Sequence, residues 1–127
     1  MEPLLPVDAQ MASFDDEKLL QMLGHASSSI RARVLPTLGP RIQNNAHTKE
    51  ALFLSAADPV NLELTFYAFI KVAWIAAIAV LDYGIAEDYS CLKQIVSQWP
   101  ATEQRGFLAY IKDYQSFASV CKQDEKR

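Results

Sequence analysis

Residues 64–81 read LTFYAFIKVAWIAAIAVL, and Lys71 is the only charge among them. A segment apolar on nearly every side has to be buried in a protein core, in a partner or in a lipid bilayer. Magnitudes choose among the three. The stretch holds nine Leu, Ile, Val and Phe residues. Each gains about 0.3 to 0.6 kcal/mol on insertion into a membrane, whereas a lysine near the centre costs about 2.5 to 3.5 kcal/mol. Lys71 cancels half or more of that gain, and eighteen residues is the short limit for a span. Alanines at 68, 73, 76, 77 and 79 let neighbours approach closely. The expectation is a central helix over about residues 60–83, ended by Gly84 and covered on all sides by other helices of the same chain.

Helix signals flank this centre on both sides. Upstream, Asp15, Asp16 and Glu17 follow Ser13 and favour the positive end of a helix carrying Leu19, Leu20, Met22 and Leu23. Ser27, Ser28 and Ser29 supply the next cap, for a helix that turns Val34, Leu35 and Leu38 inward and meets a breaker at Pro36. Asn44 and Asn45 introduce a helix through Leu52, which ends near Asp58-Pro59. Downstream, a helix over about residues 87–98 buries Leu92, Ile95 and Val96. Pro100 opens a last one, with an apolar stripe of Phe107, Ile111, Tyr114, Ala118 and Cys121. Strand-like alternation is absent, so the fold class is all-α with five or six helices. Residues 1–12 read as an extended arm, 13–121 as one helical domain and 122–127 as a polar tail.

Composition narrows the class of activity. The chain has 127 residues, of which half are hydrophobic and 21% charged, an ordinary globular balance. Residues 1–63 carry five Lys/Arg against eight Asp/Glu, and residues 64–127 carry seven against seven. Neither half is basic enough for bulk neutralisation of phosphates. Met1-Glu2-Pro3 does not resemble a signal peptide, so a cytoplasmic or other intracellular setting with reduced thiols is expected. A Cys91–Cys121 bridge is the less expected state.

The chain also repeats weakly. LLQMLGHASSSIRARVLPTLG from Leu19 aligns without gaps on ALFLSAADPVNLELTFYAFIK from Ala51, and LKQIVSQWPATEQRGFLAYIK from Leu92 continues the apolar columns. Each unit reads as helix, polar turn, helix. This resembles HEAT-type helical repeats across residues 19–112, with Asp58-Pro59 matching the family's turn and Arg31 its early second-helix arginine. Ala26-Ser27, Glu63 and Gln104 depart from that pattern. The resemblance implies a stack of helix pairs with a protein-binding face. The unequal offsets fit a compact irregular bundle around the central helix as well.

No catalytic constellation emerges. His25 and His47 lack companion ligands at metal-binding spacing, and no H-E-x-x-H or C-x-x-C is present, so no metal or cofactor is expected. Glu87 and Asp88 suit helix capping better than acid–base work. Cys91 falls near an apolar helix face, where an inert buried thiol is usual. Arg31, Arg33 and Arg41 form the one local basic excess, able to contact phosphate or an acidic partner. The expected activity is non-enzymatic: binding of another protein, as a scaffold, adaptor or regulatory subunit. The alternatives are a nucleoprotein subunit contacting backbone through those arginines, a ligand pocket around Trp74, and assembly with a second copy.

Overall fold

In the computed structural model, residues 13–24, 27–67 and 70–112 are described, Phe66 and Tyr67 through their backbone alone. The N-terminal arm, the polar tail, His25, and the Tyr114, Ala118 and Cys121 end of the last stripe lie outside the described residues. Seven α-helices are found among the described residues: α1 (Asp16–Met22), α2 (Ser28–Leu38), α3 (Ala46–Ala57), α4 (Pro59–Glu63), α5 (Val72–Tyr83), α6 (Ala86–Ser97) and α7 (Ala101–Tyr110). A 3-10 turn, Gly39–Arg41, follows α2. The all-α class holds.

Local chemistry sets the helix starts. The Asp15 carboxylate accepts from the Lys18 N–H at 2.8 Å, and the Ser27 hydroxyl accepts from the Ile30 N–H at 3.4 Å. Asn45 Oδ1 accepts from the His47 N–H, and Asp58 Oδ1 from the Val60 N–H, both at 2.9 Å. Each cap satisfies one of the amides that a first helical turn leaves without an internal partner. Pro36 is accommodated in the last turn of α2, which ends two residues later at Leu38.

The central stretch departs from expectation. It is not one helix over residues 60–83. The chain leaves α4 after Glu63 and forms a two-stranded antiparallel ribbon, β1 (Thr65–Tyr67) and β2 (Ile70–Lys71); only then does it enter α5. Thr65 pairs with Lys71 and Tyr67 with Ile70, with an irregular register between them, and the Val72 N–H donates to the Leu64 carbonyl at 2.9 Å. The physical reason is composition. Residues 65–72 hold threonine, isoleucine, valine and three aromatics, which favour pleated backbone, whereas 73–79 is alanine-rich and favours helix. Uniform hydrophobicity hid that switch of propensity.

What remains helical is twelve residues, about 18 Å at 1.5 Å per residue. No helix among the described residues is long and apolar enough to cross a membrane. Instead α5 runs through the interior: Val72, Ala73, Ala76, Ala77 and Val80 are fully inaccessible, and α3 and α2 pack closest on it. Its alanines permit that approach, as expected. Leu19, Val34, Leu35, Leu38, Leu52, Leu92 and Phe107 complete one continuous core. Phe107 lies between two tryptophans, with ring centroids 5.9 Å from Trp74 and 5.3 Å, edge-on, from Trp99. Trp99 Nε1 donates to the Ala56 carbonyl at 2.9 Å and ties the start of α7 to the end of α3.

Candidate functional site

Among the described residues, α3, α4 and α6 frame an open cleft of about 780 Å³. One wall is the end of α3 with α4, contributing Ala57, Pro59, Leu62 and Glu63. The other is α6 and the residue after it, contributing Cys91, Gln94, Ile95 and Gln98. Their spacing of three, four and seven puts these four on one helical stripe. Trp99, Pro100, Glu103 and Lys71 close one end. The cleft exists because α4 is short. A full second helix running on from Pro59 would have continued past Glu63, but the ribbon turns the chain away and leaves α6 uncovered along this stripe.

Lys71, the lone charge of the apolar stretch, is explained by this geometry. Its ammonium donates to the Leu62 carbonyl at 3.1 Å and to Glu103 Oε2 at 3.0 Å. Glu103 Oε1 accepts from Trp74 Nε1 at 3.2 Å. One carboxylate of α7 therefore fixes both the ribbon and the central helix. The two charged side chains keep about a fifth of their surface exposed, at 22% and 20%, so the pair sits in the cleft wall within reach of a bound molecule.

A second Lys–carboxylate pair marks the far end of α6. Asp88 is almost inaccessible; its Oδ1 meets Lys49 Nζ at 3.1 Å, and its Oδ2 accepts from the Ile85 N–H at 2.9 Å and from Gln43 Nε2 at 3.1 Å. Burial alone would raise the pKa of this carboxyl, but the Ile85 amide, Gln43 and Lys49 outweigh it and hold the group below the usual carboxylate range. The capping role expected for the Glu87–Asp88 pair is what Asp88 performs. Asp16 is likewise held low, chiefly by its hydrogen bond from Arg41 and then by Asn45.

The three arginines read as a basic excess are placed as follows. Arg41 Nη1 donates to the Phe14 carbonyl and to Asp16, both at 2.8 Å, locking α1 against the 3-10 turn. Arg31 Nη1 donates to Asn61 Oδ1 at 2.8 Å, joining α2 to α4. Arg33 is half-buried, and the Thr37 hydroxyl donates to its carbonyl at 3.0 Å. The guanidinium groups of Arg31 and Arg41 are held by internal contacts, and none of the three arginines lines the cleft. Trp74 is core rather than pocket wall: it is buried against Phe107, Tyr110 and the flat face of Gly106, where an added Cβ would come within 3.2 Å of its ring. Cys91 corrects the expectation of a buried thiol, being free and exposed on the cleft side of α6. Among the described residues, no group of three or more His, Cys, Asp or Glu could hold a metal ion.

Sequence reasoning missed the cleft because its walls are brought together by the ribbon. The signal that could have found it is Gln94 and Gln98 on one stripe of α6 with Cys91 and Ile95, polar positions beside the buried face of Leu92 and Val96. No family model, curated protein or solved structure matches this chain.

Proposed function

We propose that this protein acts by binding another protein, as a small scaffold, adaptor or regulatory subunit, through the cleft between α4 and α6. The observation that carries the reading is the cleft itself. It joins half-buried apolar surface at Leu62 and Ile95 to a polar rim of Glu63, Gln94 and Gln98, on elements anchored by the Lys71–Glu103 pair. An apolar centre with a hydrogen-bonding rim on rigid elements is the anatomy of a recognition surface. The sequence resemblance to HEAT-type repeats supports the same class through the first and third helix pairs, although in the unit from Ala51 the ribbon replaces most of the second helix. A nucleic-acid-backbone role would require Arg31 and Arg41 to leave their internal partners.

The test is affinity capture of the tagged chain from native lysate, run beside the double variant Glu63→Arg/Gln98→Arg. Both positions are exposed, so the fold is expected to persist, and circular dichroism checks it. A stoichiometric protein retained by the wild type and lost from the variant supports the proposal. Equal retention by both, or recovery of the chain alone, overturns it. A second reading has one specific observation in its favour: a volume of about 780 Å³ is also that of a small-molecule site. Extra mass on the purified chain in native mass spectrometry, displaced by the same double variant, would favour it.

A further inference from the structure

We propose that the occupant of the cleft is an extended peptide segment carrying a basic residue, with its backbone held by the carboxamides of Gln94 and Gln98. This rests on the protein-binding reading above and names the kind of segment recognised.

The first observation is the pair of carboxamides. Gln94 and Gln98 both line the cleft and are exposed, and among the described residues neither side chain has a hydrogen-bond partner. A carboxamide offers a donor and an acceptor together, the complement of a peptide unit. Four residues along a helix advance about 6 Å, and two residues along an extended chain advance about 6.7 Å. Two glutamines at that helical spacing therefore meet successive same-facing peptide units of an extended segment. A helical partner would gain nothing from them, because its backbone amides and carbonyls are already paired within the helix.

The second observation is apolar and sets side-chain preference. Ile95 lies between the two glutamines on the α6 stripe, facing Leu62 across the cleft, and both are half-buried. An extended segment turns alternate side chains to one face, so residues seated between its two clamped peptide units reach this apolar strip.

The third observation is charge. Lys71 is neutralised by Glu103 at 3.0 Å, whereas Glu63 on the opposite wall is exposed and forms no ion pair among the described residues. The cleft keeps one net negative charge, which favours a lysine or arginine on the occupant and disfavours an acidic segment.

The experiment selects a displayed library of random dodecapeptides against the immobilised full chain, then measures the selected peptides by fluorescence anisotropy. The expected result is enrichment of peptides with alternating apolar residues and one Lys or Arg. Their affinity should fall about fivefold for Gln94→Ala and for Gln98→Ala, with thermal unfolding unchanged. Glu63→Lys should remove the preference for the basic residue. Enriched peptides with apolar residues three and four apart, or with binding indifferent to both glutamines, overturn the extended-segment proposal while leaving protein binding at the cleft standing. Failure of the library to yield any peptide sensitive to Gln94 or Gln98 also overturns it. Loss of the protein-binding reading is seen separately, in the lysate capture by the wild type and the double variant.

Discussion

Two Lys–carboxylate pairs lie near α6, nearly equal in length and opposite in consequence. Lys49–Asp88 spans 3.1 Å and Lys71–Glu103 spans 3.0 Å. The Asp88 side chain is 7% exposed, and its two oxygens are taken by Lys49, Gln43 and the Ile85 amide. Glu103 keeps 20% of its side chain exposed and opens onto the cleft. A shared contact distance therefore says little about role. Accessibility and remaining hydrogen-bond capacity decide it, because a sealed carboxylate stripped of partners cannot recover them from water whereas a half-exposed one can. The Asp88 pair is architecture. The Glu103 pair is architecture that also faces the open cleft.

Breaking the sealed pair should give the largest effect. Asp88→Ala leaves the Ile85 amide unsatisfied and removes the one carboxylate beside Lys49, although Gln43 keeps the Tyr83 carbonyl and Lys49 keeps Gln43 Oε1. The expected cost is about 2–3 kcal/mol, a fall in Tm on the order of 10 °C for a domain of this size, read by circular dichroism. Acid sharpens the same contrast. Asp88 and Asp16 are both held below their ordinary range in the folded chain. The stability they contribute is therefore fully present above about pH 4, the unfolded carboxyl value, and is lost as pH falls through their lowered folded values. Urea midpoints measured from pH 6 down to pH 2 should drop below about pH 4, and Asp88→Asn should make that drop shallower.

The open pair should matter less to stability. Glu103→Gln keeps an acceptor for Trp74, and Lys71 keeps the Leu62 carbonyl and access to water, so the loss is expected below about 1 kcal/mol. A loss as large as that of Asp88→Ala would erase the distinction between the pairs. The smallest structural effect is expected at Cys91, exposed on the cleft. In a Cys121→Ser background, a thiol reagent such as DTNB should label it fully in the native chain with Tm unchanged, and a selected cleft peptide should slow that labelling.

Much of this was legible in the chain. The helix starts at Ser27 and Asn45 follow from residues whose side chains satisfy a first-turn amide, whereas the first cap is Asp15 rather than Ser13 and Asp58, read as a helix end, also caps α4. The core positions Val34, Leu35, Leu38, Leu52, Leu92 and Phe107 follow from helical spacing. The ribbon was present in the order of residues, β-branched and aromatic before alanine-rich, but periodicity cannot register it in a stretch apolar throughout. The site was harder. Lys71 and Glu103 are 32 positions apart, and Asp88 joins Gln43 from 45 positions away. Such long-range pairs depend on how the ribbon redirects the chain, which local pattern does not encode. Arg31 and Arg41 mislead for the same reason: as text they are a basic cluster, and in three dimensions each is a tether between different elements.

The most direct test of the central claim is site-specific photo-crosslinking in the native lysate. A benzoylphenylalanine replaces Gln98 on the cleft wall in one chain and Glu17 in another; Glu17 is exposed on α1 and lines no part of the cleft. A discrete protein adduct from position 98 and none from position 17 is the expected result. The same adduct from both positions, or an adduct from position 17 alone, would contradict the assignment of the cleft between α4 and α6 as the binding surface.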